Sequence, residues 1–310
     1  MTLQTGELLR TARVAMRKGD YLAVIEALEM LTEQAQQASD TGAEARHRGS
    51  LAMLYNRLGM SEVALKQLEQ ALATAQAGGH RATESGLRGS LGNVLRETGD
   101  FEAAIEQLEQ AVQIAVELGD ERGRGNWLSS LGLTHDDLDQ TDIAIDYHTQ
   151  SVEVARKLQD KRGLAGRLGN LGSTLMEAGQ ILQALDHLSE AAALYRELGD
   201  TVTLVLWLNV LGNIYAELGQ VATGESRQRG YYVQSLGHYR EALKLTQTHN
   251  DPITEAALRR RMGAAYSALG RTAEALSSYN GAIRLYEQEE MTDLLPEVEQ
   301  EIQQARHKKN

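Results

Sequence analysis

The chain of 310 residues contains no cysteine, two prolines and a single phenylalanine. Without cysteine there is no disulfide framework, no thiolate zinc site and no cysteine nucleophile. With so little proline, few positions interrupt a helix, and a mostly helical chain is expected. No apolar run approaches the roughly 20 residues of a membrane span. Met1 to Arg17 lack the apolar stretch of a secretory signal. Positive charge is in deficit, 31 Lys and Arg against 43 Asp and Glu, so the net charge is -12. That argues against a protein that tracks nucleic-acid phosphates. No strand pattern supports a phosphate-binding glycine loop, and no serine sits in a nucleophile elbow. A cytoplasmic protein without cofactor, metal, nucleic acid or membrane partner is expected.

What is present is a repeat. One glycine slot recurs at Gly19, Gly59, Gly99, Gly179, Gly219 and Gly270, and Asp139 fills the missing place. The steps are 40 residues except the last, 219 to 270, which is 51 and so carries 11 extra. Each copy reads as two amphipathic helices. Ala104, Ile105, Leu108, Ala111, Val112 and Ala115 share one helical face. The glycine slot predicts a left-handed helix stop. A second stop holds Gly79, Gly119, Gly199 and Asn250, followed by Asp120, Asp160, Asp200 and Asp251 as candidate N-caps. Small residues stand seven places before each first stop: Ala12, Ala52, Gly92, Gly132, Gly172, Gly212 and Gly263. A single helix pair cannot bury both faces, but stacked pairs can, which predicts an all-α solenoid.

At these positions the chain resembles the tetratricopeptide repeat (TPR) family. The resemblance rests on Leu-Gly at 91–92, 131–132, 171–172 and 211–212, on Tyr55, Tyr215 and Tyr266, and on the alanines of the second helices. The 40-residue length resembles a subclass found in Pins-type adaptors, kinesin light chains and bacterial regulators. The resemblance implies a right-handed superhelical array of seven repeats in one domain. The expected repeats are 3–39, 43–79, 83–119, 123–159, 163–199, 203–250 and 254–290, with an inserted loop near 220–232 and a capping helix over 292–307.

The eight histidines are scattered. His148 occupies a slot held elsewhere by leucine or tyrosine, and His135 a tyrosine slot, so both read as packed side chains. Asp136, Asp137 and Asp139 end a first helix and read as solvated carboxylates. The informative feature is the non-core stripe of the first helices: Gly86, Gly89, Asn93, Arg96; then Asn126, Ser129, Leu133, Asp136; then Gly166, Gly169, Ser173, Met176; then Leu206, Asn209, Asn213, Ala216. Glycine costs about 1 kcal/mol against alanine inside a helix, so its recurrence implies a close approach. Either neighbouring helices crowd there, or a partner's backbone does.

The TPR resemblance implies that first helices line a concave groove whose asparagines hold a peptide backbone. That role falls on Asn93, Asn170 and Asn213, with Asn126 and Asn209 beside them. An asparagine amide both donates and accepts, so it pairs with a peptide unit of any sequence. Arg13, Arg46, Arg57 and Arg96 near one end, Asp136 in the middle, and Arg260 and Arg261 near the other would read a partner's charge order. In the insertion, Arg227, Arg229, Tyr231 and Tyr232 are candidate contacts, because Arg and Tyr are common at binding hot spots. The expected function is a non-catalytic scaffold or adaptor for an extended or helical peptide segment. The alternatives are a receptor for a small peptide or other small ligand, and self-association.

Overall fold

The computed structural model describes residues 3–307, with side chains from Thr5 onward; Lys308 and Lys309 of the basic tail lie outside them. The described residues form fifteen α-helices and one short 3₁₀ turn, with no strand. Contacts cluster into two units, Met1–Asp160 and Lys161–Asn310. The first unit holds α1 (Leu3–Lys18), α2 (Tyr21–Gln37), α3 (Thr41–Arg57), α4 (Ser61–Ala77), α5 (Arg81–Glu97), α6 (Phe101–Leu118), α7 (Glu121–Asp137) and α8 (Thr141–Lys157). The second holds α9 (Lys161–Glu177), α10 (Ile181–Leu198), α11 (Thr201–Val221), α12 (Glu225–His249), α13 (Pro252–Ala268), α14 (Thr272–Gln288) and α15 (Leu295–His307). Odd and even helices up to α14 pair as hairpins, giving the all-α, TPR-type pattern that the repeat predicts.

The hairpins stop where the slots require. At Gly99 φ is +85°, a left-handed conformation in which a side chain costs energy. The turn closes with Asp100 N–H donating to Leu95 O at 2.9 Å. Asp139 adopts the same conformation at φ 56°, as an aspartate tolerates. Asp100 then caps the following helix by accepting from Ala103 N–H, as do Asp20, Asp40, Asp120, Asp200 and Asp251 three residues ahead of their own partners.

The sixth hairpin departs from the expectation. Gly219 is no stop: α11 runs through it to Val221, and the chain breaks at Gly224, φ +94°. The insertion is therefore helical rather than a loop. It lengthens α11 to 21 residues and α12 to 25, where the other first helices mostly have 17. Gly219 keeps a helical conformation rather than the left-handed one of the other slots, and the eleven extra residues, about three helical turns, are divided between the two helices. Leu236, Tyr239 and Ala242 of α12 remain in the core. One further departure concerns α11 itself, which is long and apolar enough to cross a membrane by length and composition. In the second unit its Leu204, Leu208, Leu211 and Ile214 are all buried core residues.

Candidate functional site

Two contacts explain much of the glycine stripe. A Cβ on Gly89 would meet the Trp127 ring of the next first helix at 2.3 Å, and one on Gly169 would meet the Trp207 ring at 2.4 Å. At these positions neighbouring first helices crowd, as in the first of the two readings above. Gly86 is different, because a Cβ there would meet nothing within 4 Å.

The second set of glycines opens a path through the first helix layer. At Gly92 and Gly172 the facing residues of the second helix are Leu108 and Leu188. At Gly132, Gly212 and Gly263 they are His148, Tyr239 and Tyr279. Two of these longer side chains reach beyond the glycine to a polar residue of the same first helix. His148, fully buried, places Nε2 2.9 Å from Asp136 Oδ2. The Tyr239 hydroxyl donates to Asn213 Oδ1 at 2.7 Å. Burial pushes the Tyr239 phenol up to about 12, so it stays protonated and keeps donating.

Beside Asn213 and Tyr239 lies a cavity of about 540 Å³, lined by α11, α13 and α15 with side chains of α12 and α14. From α11 come Asn213, Ala216, Glu217 and Gln220, spaced i, i+3, i+4, i+7 along one stripe. Arg261 comes from α13 and Glu301 and Gln304 from α15, and Tyr232, Tyr239 and Tyr279 also line it. Ala264, Ala265, Ser267 and Ala268 of α13 complete the lining. The side chains present offer cationic and anionic groups, an amide and phenols, and so suit binding by hydrogen bonds and charge. Among the described residues, no three His, Asp or Glu side chains gather as a metal ion would need.

The structure places three predicted contacts in this cavity: Asn213, Arg261 and Tyr232. Other predicted charges are engaged elsewhere. Arg260 pairs with Glu301 at 2.7 Å and Glu297 at 2.8 Å, joining α13 to α15. Those hydrogen bonds hold its guanidinium above the ordinary arginine range. Arg96 pairs with Asp137 at 2.8 Å, and Asp136 faces His148. Arg57 lies 5.8 Å from the Tyr21 ring centroid. Arg13, Arg46 and Asn126 are exposed on the first unit, and Asn93 is half-buried there. Asn170 and Asn209 are half-buried in the second unit, Asn209 with a buried Oδ1 that has no hydrogen-bond partner. In the insertion Arg227 and Arg229 are exposed, while the Tyr231 ring sits 6.3 Å from that of Tyr215. Sequence reasoning missed Glu301 and Tyr279. The exchange of leucine for tyrosine at 239 and 279 was the available signal.

A polar chain recurs that sequence reasoning also missed. Gln36 of α2 donates to Glu44 of α3, Arg48 donates to Glu44, and Arg48 reaches Gln67 of α4. Gln76, Glu84, Arg88 and Gln107 repeat the chain forty residues on. Gln247, Glu255 and Arg259 repeat its first part in the second unit. The same three repeats carry all three residue types, so the chain is visible in the sequence once the slots are aligned.

Helix hairpins that stop, cap and pack at these slots define a tetratricopeptide-repeat array, and the chain is of that type. Residues 83–157 match the tetratricopeptide repeat model, 164–303 the bacterial transcriptional activator domain, and 14–84 the anaphase-promoting complex subunit 5 family. No curated protein matches the chain at a significant level. Among solved structures it is similar to a signal-transduction ATPase with a tetratricopeptide-repeat sensor from Pyrococcus horikoshii. The identity is 15%, the match covers 97% of this chain and 47% of that one, and the TM-score is 0.67. It is also similar to the apo form of RapI, at 12% identity, 93% and 100% coverage and TM-score 0.63. A Rap protein complexed with Competence and Sporulation Factor matches at 14% identity, 98% and 86% coverage and TM-score 0.57. At these identities the likeness is one of fold.

Proposed function

We propose that this chain is a non-catalytic interaction module that holds a peptide segment of a partner protein, extended or helical, on its first-helix face. The observation that carries the reading is the cavity beside α11, where Asn213, Arg261 and Tyr232 converge. Asn213 is oriented by Tyr239, and a held amide loses little entropy on binding. TPR folds are generally non-catalytic, and the reading assigns no reaction. Its place of work is the cytoplasm and its partners are proteins or peptides. A second reading, a receptor for a small ligand, is favoured by the size of the cavity and by the Rap structure that contains Competence and Sporulation Factor.

The test is capture from a lysate by the native chain beside an Asn93→Ala, Asn170→Ala, Asn213→Ala variant, both checked by circular dichroism. A partner kept by the native chain and lost by the folded variant supports the reading. Equal retention of every partner would exclude the first-helix face as their site.

A further inference from the structure

We propose that the cavity lined by α11, α13 and α15 binds a small zwitterion of the α-amino-acid type, either a free amino acid or a short peptide with both ends unblocked. The inference rests on the reading of this face as ligand-binding and names the chemistry that the cavity selects.

One carboxylate of the lining lacks a donor on its second oxygen. Glu301 receives Arg260 on Oε1 alone, from Nε at 3.0 Å and from the NH2 nitrogen at 2.7 Å. Its Oε2 is buried and has no hydrogen-bond partner. A buried carboxylate oxygen left unpaired is costly, and a primary ammonium brings three donors to it. The lining also holds a cation that lacks an acceptor. Of the three successive arginines, Arg259 is paired with Glu255 and Arg260 with Glu297 and Glu301. Arg261 makes no hydrogen bond or ion pair to a described residue, yet it lines the cavity. Asn213, in the same lining, adds a second donor, because Tyr239 occupies its oxygen and its amide hydrogens are left to donate. A guanidinium and an amide together suit a carboxylate.

The balance of charge excludes simpler ligands. Glu217, Glu301 and Arg261 line the cavity, and Arg260, outside the lining, already pairs with Glu301, so neither a plain anion nor a plain cation is favoured. A ligand that carries both charges satisfies both groups. The Tyr232, Tyr239 and Tyr279 rings of the lining offer an ammonium group aromatic surface to lie against. The volume, about 540 Å³, falls among small-molecule sites, which span roughly 300–1,000 Å³.

The experiment is titration calorimetry on the full chain with the L-amino acids singly, then with di- and tripeptides, then with the best ligand N-acetylated or C-amidated. The variants are Arg261→Met, which breaks no pair within the fold, and Glu301→Gln. Saturable binding by at least one unblocked ligand is expected. Blocking either end, or introducing Arg261→Met, should weaken it about tenfold or more, the usual weight of a hydrogen bond to a charged group. Where Glu301→Gln loosens α15, Arg261→Met still decides, with an unchanged unfolding temperature as its control. The proposal fails if no ligand saturates at millimolar concentration, if blocked ligands bind as well as free ones, or if Arg261→Met binds like the native chain. Binding by amino acids alone, or by peptides alone, identifies the source. Failure here with partner capture intact sinks only the zwitterion; the reverse sinks only the scaffold reading.

Discussion

The second and third hairpins meet their neighbours differently from the fifth and sixth. In α3 and α5 the slots hold Glu44 with Arg48 and Glu84 with Arg88, ion pairs that are largely buried. In α9 and α11 the same slots hold Leu164 with Leu168 and Leu204 with Leu208. Leu168 and Leu208 are fully buried. One architecture is thus joined by polar chains in one place and by leucine in another. Leucine burial is insensitive to charge and non-directional. The polar chain is satisfied only when Gln, Glu and Arg from successive helices align, so it selects its neighbour at the expense of desolvation.

Several outcomes test that contrast. The largest effect is expected from Leu168→Ala, a loss of about 3 kcal/mol in urea unfolding, the same at neutral and at acid pH. Glu84→Ala should lose about 2 kcal/mol, since it removes the carboxylate partner of the largely buried Arg88 and leaves it Gln107 alone. That loss depends on pH. Burial works to raise the Glu84 carboxyl, but hydrogen bonds from Gln76, Arg81 and Arg88 outweigh it and hold it below 4.5. Its contribution is therefore present above that value and disappears as pH falls through the lowered one, so native and variant stabilities converge in acid. An acid-insensitive gap would show that Glu84 acts by packing alone.

The double replacement Glu84→Leu with Arg88→Leu, which copies the fifth hairpin, should change stability by only about 1 kcal/mol or less. A loss as large as that of Glu84→Ala would show that the two kinds of joint are not interchangeable. Smaller still is His238, which burial lowers below 6.5 while Glu241 opposes the shift. The unfolded chain takes up this proton first as pH falls below 6.5. Native stability therefore declines there, and His238→Gln should flatten the decline in a pH series of melting temperatures. Arg96→Met, which removes a partly exposed pair with Asp137, should cost about 0.5 kcal/mol in the same assay.

Helix identity, stops and caps were legible in the sequence, because each depends on local chemistry that recurs at a fixed spacing. Gly219 misled for the same reason: it keeps its slot but lost its turn when the inserted residues extended both helices. The face was only partly legible. A glycine announces a close approach without saying what approaches, and only the fold shows that Trp127 and Trp207 fill two of these places. Charge was the least legible feature. Arg96, Arg260 and Arg261 look alike in sequence, and pairing across forty residues separates the first two from the third.

The threading of Tyr239 and Tyr279 past their glycines has a consequence for how this protein can change. Both side chains belong to second helices, yet they line the cavity together with residues of the first helices. Drift on a second helix can therefore change the lining of that cavity with no change in the first helices. In the third and fifth hairpins the same positions, Leu108 and Leu188, are silent. An exchange to tyrosine at either would repeat, beside Gly92 or Gly172, the glycine–tyrosine pairing of Gly212 and Gly263.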